Sequence, residues 1–98
     1  MVWKIVAKMP LSTILLFLEQ LASLVGGFEA KIYVQRREIG CRCNMRTVKT
    51  IKKTLSNCCP YLFDEQATVE AVVASNDNID EVLQAFNAKS LGYVVTVH

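Results

Sequence analysis

The chain has few of the residues that punctuate a fold or ligate metals. Of its 98 residues only 4 are glycine and 2 proline, which excludes collagen-like and linker-like chains. Its one histidine, His98, stands at the last position with no motif around it. No glycine-rich phosphate loop, no internal repeat and no complete catalytic motif is present. A long apolar run is missing too. Leu11 to Val25 is interrupted by Glu19, and a spanning helix needs about twenty predominantly apolar residues. The chain therefore reads as having no membrane span. The net charge is only +2, while apolar residues make up 52% and charged residues 20%. That balance excludes disorder by composition and fits one folded domain over 1–98.

The small net charge hides an uneven distribution. Lys31, Arg36, Arg37, Arg42, Arg46, Lys49, Lys52 and Lys53 face a single acid, Glu38, within 31–53. From Thr54 onward Lys89 stands alone against Asp64, Glu65, Glu70, Asp77, Asp80 and Glu81. A basic middle and an acidic end fit two readings: a docking face for an anionic partner, or a solvated face paired with the last third of the chain after folding.

The 4 cysteines are Cys41, Cys43, Cys58 and Cys59. C-x-C plus C-C is not a usual zinc spacing, so no metal site is assigned. Ile39, Cys41, Cys43 and Met45 alternate with Gly40, Arg42 and Asn44, which points both thiols inward as small hydrophobes. Cys58 and Cys59 precede Pro60 and fall at a helix end. Four free thiols without an export signal point to a reducing, cytoplasmic setting.

Periodicity supplies the elements. In Val2 to Met9, Trp3, Ile5, Ala7 and Met9 share one face of a half-buried strand. Pro10 ends it, and Ser12 or Thr13 is expected to cap the helix that follows. Leu11, Leu15, Leu18, Ala22 and Val25 form that helix's apolar row. Leu16 and Phe17 flank the row, either covered by the sheet or forming a patch for a partner. Gly26-Gly27 stops the helix. Phe28 to Gln35 alternates again, Arg36-Arg37-Glu38 is the expected turn, and Ile39 to Cys43 returns as the second arm of a hairpin. Met45, Val48, Ile51 and Leu55 then define a second amphipathic helix with Arg46, Lys49, Lys52 and Lys53 on its other side. Ser56 to Gln66 reads as a loop held by Tyr61-Leu62-Phe63, and Ala67 to Ala74 as a fourth strand. Asn76-Asp77-Asn78 opens a third helix with Ile79, Val82, Leu83 and Phe86 inward. Tyr93 to His98 is strand-like and fits a fifth strand, an edge addition or a tail. The order predicts an α+β open-faced sandwich: a four-stranded antiparallel sheet with three helices on one face, and room for a short extra C-terminal strand. Ferredoxin-like and HPr-like architectures share this order.

Several stretches together resemble the HPr family, the small phosphocarriers of the bacterial phosphotransferase system. Gly27-Phe28-Glu29-Ala30-Lys31-Ile32-Tyr33-Val34 resembles its second strand. Asn44-Met45-Arg46-Thr47-Val48 resembles the segment where its regulatory serine opens the second helix. Val72-Val73-Ala74-Ser75 with Asp80-Glu81 and Leu83 resembles its fourth strand and last helix. The resemblance spans roughly Val2 to Ala88, and the order and spacing of the pieces carry it. The family's carrier histidine opens the first helix beside an arginine and a proline. Here that place reads Pro10-Leu11-Ser12-Thr13, with neither histidine nor arginine. The nucleophile for histidine phosphotransfer is thus missing, and no base stands near the Ser12 or Thr13 hydroxyl to replace it.

The resemblance therefore implies a degenerate member without cofactor or catalytic residue. It would be a regulatory or adaptor protein acting by contact with other proteins: phosphotransferase-system enzymes, a kinase or a transcription regulator. Thr47 falls at the regulatory-serine position, which implies phosphorylation by an ATP-dependent HPr kinase, with Arg46 and Lys49 beside the phosphate. The other reading of Thr47 is a plain N-terminal helix residue or cap. Docking is expected through Arg46, Thr47, Val48, Lys49, Ile51 and Lys52 and through the start of the first helix. Two alternatives stay open. One is a true phosphocarrier using another residue. The other is a ferredoxin-like domain that binds nucleic acid or a small anion through 31–53. Nucleic acid is disfavoured because Tyr33 is the only aromatic side chain there.

Overall fold

The computed structural model describes residues 2–74 and 94–97. Strand β1 (Val2–Pro10) leads into helix α1 (Leu11–Val25), followed by the hairpin of β2 (Phe28–Val34) and β3 (Arg37–Cys43). Helix α2 (Met45–Cys58), a short 3-10 helix (Pro60–Asp64), β4 (Gln66–Ala74) and β5 (Val94–Val97) complete the described elements. The sheet order is β3-β2-β4-β1-β5, and every pairing is antiparallel. An α+β antiparallel sheet with helices on one face is therefore the architecture. It differs from the expected one in its strand number. The C-terminal strand is a fifth strand, added beside β1, so β1 is interior rather than an edge. Two α-helices lie among the described residues; the third helix expected from Asn76 onward falls outside them.

Alternation decides the inner face. Ile5, Ala7 and Met9 of β1, Phe28, Ala30, Ile32 and Val34 of β2, and Ala67, Val69, Ala71 and Val73 of β4 are buried. They pack under Leu11, Ile14, Leu15, Leu18 and Leu21 of α1 and Val48 and Leu55 of α2. Such burial is the main favourable term in folding. The flanking pair of α1 splits. Phe17 is fully buried while Leu16 is 50% exposed, because adjacent helical residues diverge by about 100° around the axis.

Two local expectations need correction. Neither Ser12 nor Thr13 caps α1: Pro10 occupies the cap position, and no side-chain cap bond is made. The strand runs straight into the helix, and the backbone N–H of Leu11 donates to Glu65 O at 2.9 Å. The hairpin turn is Gln35-Arg36, since Val34 pairs with Arg37, and Gln35 adopts φ 55°. Two-residue hairpin turns favour positive φ because it matches the strand twist, and Gln35 meets that demand without glycine. At the far end of α1, Gly26 supplies φ 79°, and its N–H donates to Ala22 O.

Cys43, Cys58 and Cys59 are not free thiols. Cys58 and Cys59 are joined by a disulfide, and Cys43, buried as expected, is also disulfide-bonded. The side chain of Cys41 lies outside what is described. Helix α2 ends at Cys58, and the chain leaves it at Cys59 with φ −148° and ψ 60°, which brings the two neighbouring sulfurs together. No helix among the described residues is long and apolar enough to cross a membrane.

Candidate functional site

The second helix begins with a reciprocal cap. Asn44 is extended, and its Oδ1 accepts from the Thr47 N–H at 2.9 Å. The Asn44 N–H donates to Thr47 Oγ1 at 2.7 Å. The Thr47 hydroxyl donates to Asn44 O at 3.0 Å, with Arg42 O at 3.4 Å. These bonds satisfy backbone groups that a helix start otherwise leaves unpaired. Both readings of Thr47 thus meet at one atom. It sits in the first turn beside Arg46, where the helix dipole favours a phosphate, but its half-buried hydroxyl is engaged in the cap.

The expected docking row is divided. Arg46 and Lys49 are exposed and available. Val48 is fully buried in the core and offers nothing to a partner. Its place in the row of three and four, which marked it as apolar, is what turns it inward. Ile51 is half-buried against the core. Lys52 is engaged across the helix interface, with Nζ 3.0 Å from Glu19 Oε1 of α1. Lys53, outside the expected set, is exposed beside them. No acid lies on α2, and among the described residues Lys52 alone of its four cations has a carboxylate partner.

Ser12 and Thr13 do not join this surface. The start of α1 is held at Glu65, just past the short helix that follows α2. The start of α2 lies at the other end, where a Cβ placed on Gly27 would stand 3.9 Å from Cys43 O. With 14 residues in α2, the two helix starts are separated by about 20 Å at 1.5 Å per residue.

The basic stretch 31–53 is also dispersed. Lys31 and Arg42 lie on the open sheet face beside Glu38 and Glu29 at 3.8 and 3.9 Å. Arg36 and Arg37 sit at the hairpin turn, and the remaining four cations belong to α2. The open face carries a depression of about 490 Å³ where Lys4, Lys31 and Arg42 alternate with Glu29 and Glu70. Three cations against two carboxylates leave it a net charge of +1. Comparison with protein-family models, curated proteins and solved structures gives no match.

Proposed function

We propose that this is a non-catalytic, HPr-like regulatory or adaptor protein that acts by protein–protein contact through the exposed side of α2. One observation carries the reading: Arg46, Lys49 and Lys53 are presented on a helix that has no acid of its own. Exposed charges of one sign steer an oppositely charged partner and set its orientation. The strand order supports the HPr-like form of the fold, because β4 lies between β1 and β2 at the centre of the sheet. A ferredoxin-like arrangement would put β1 and β3 there instead. Ser12 and Thr13 stand where the carrier histidine would be, about 20 Å from the second site, so the surface on α2 works without carrier chemistry. Regulation is by phosphorylation of Thr47, which exchanges its cap bonds for a phosphate beside Arg46.

Isotope-labelled protein titrated with an HPr kinase tests the contact surface. Amide shifts concentrated at Arg46, Lys49 and Lys53 are expected. Shifts confined to the open sheet face at Lys4, Lys31 and Glu70, or none at saturating kinase, contradict it.

A further inference from the structure

We infer that β3 is a homodimerisation edge: two copies of this chain join antiparallel about a two-fold axis at Gly40 and form one continuous sheet. This inference does not rest on the proposed contact at Arg46, Lys49 and Lys53, although it places Thr47 beside the dimer seam. Among the described residues no strand lies beyond β3, and its seven pairs with β2 run without a bulge or a proline. Sheet edges are commonly blunted by such devices. Ladder bonds alternate, and Arg37 closes the two-residue turn against Val34. Glu38, Gly40 and Arg42 therefore turn their N–H and C=O groups to the free edge.

Antiparallel self-pairing centred on Gly40 sets Glu38 opposite Arg42 of the second copy, twice, and Gly40 opposite itself. Each pair exchanges two backbone hydrogen bonds. The Arg42 carbonyl, which also lies 3.4 Å from the Thr47 hydroxyl, keeps a second lone pair for this. The side chains of Glu38 and Arg42 lie on the open face, in rows with Tyr33 and with Glu29. The pairing extends the Glu29–Arg42 row by an opposite charge. The edge is thus complementary to its own copy in charge as well as in backbone geometry.

The helix beside this edge is built the same way. A shallow apolar depression of about 270 Å³ lies on α2 beside Ile39 of β3, lined also by Thr50, Ile51, Thr54 and Leu55. Lys52 projects to the other flank, toward Glu19 of α1. At 100° per residue, Lys49 and Lys53 lie on that flank and the outer side, while Thr47, Thr50 and Thr54 form an uncharged stripe toward the edge. Two α2 helices related by the axis approach through that stripe with their dipoles antiparallel, and each depression faces its counterpart.

Sedimentation equilibrium tests this on the intact chain. Wild type is expected at twice 11.0 kDa. Gly40→Pro removes an edge N–H at a position where proline is tolerated in edge strands, and Glu38→Arg sets like charges opposite each other. Both should weaken self-association by about tenfold or more. The swap Glu38→Arg with Arg42→Glu restores opposite charges and should restore the dimer, which separates a lost contact from a lost fold. The intrachain ion pairs it disturbs are exposed and contribute little. A wild-type monomer up to about 1 mM, a dimer indifferent to both single variants, or a swap that stays monomeric overturns the inference.

Discussion

At the residue scale, neighbouring positions in the same helix have opposite fates. Phe17 is fully buried and Leu16 half exposed. Phe17→Ala should cost about 3–5 kcal/mol in urea denaturation, and Leu16→Ala under about 0.5 kcal/mol. Composition could not separate them, since both flank the apolar row. Only the position of the sheet under α1 does. The cap of α2 was half legible. Thr47 reads from the sequence as a helix-start residue or cap, but its reciprocal partner Asn44, whose side chain accepts from the Thr47 N–H, is marked by no spacing. Asn44→Ala should destabilise by about 1 kcal/mol. Thr47→Ser should retain most of the cap and Thr47→Val lose it, read by the same denaturation. Gln35 holds a left-handed backbone at the hairpin. Gln35→Gly should raise stability by about 0.5–1 kcal/mol by removing that conformational cost.

At the element scale, strands were the more legible part. Ile5, Ala7, Met9 and Val69, Ala71, Val73 alternate without exception, and one buried sheet face demands this. Element ends were less so. Helix α2 continues through Ser56-Asn57-Cys58, three exposed residues that place nothing in the core. The turn lies at Gln35-Arg36 because pairing register, not turn composition, fixed it. The docking row divides because its members have different surroundings. A periodic apolar position such as Val48 is the one most certain to face the core. Lys52 was drawn from the solvent row by a carboxylate 33 positions away, a contact no local pattern carries. A double-mutant cycle on Glu19 and Lys52 should give a coupling of about 0.5–1 kcal/mol that falls with salt, as expected for a partly exposed pair.

At the scale of the whole molecule, strand order was the feature that periodicity left open, because antiparallel strands with one apolar face can be arranged in more than one sequence. The observed order, β3-β2-β4-β1-β5, puts the first strand inside the sheet and, among the described residues, leaves β3 at an edge. It also sends α1 and α2 in opposite directions, so the start of each helix lies at the end of the other. The candidate site is therefore one helix surface and not a cluster of two helix starts. On the proposed reading the start of α1, which reads Pro10-Leu11-Ser12-Thr13, lacks the histidine and arginine of the family's carrier site.

The most direct measurement of this account is intact mass with site mapping after two incubations, one with Enzyme I and phosphoenolpyruvate, the other with HPr kinase and ATP. The account predicts a single phosphate, on Thr47, in the kinase mixture alone. A phosphate acquired from phosphoenolpyruvate would contradict the loss of carrier chemistry. An unchanged mass in the kinase mixture, with the kinase active on a control substrate, would contradict regulation at the start of α2.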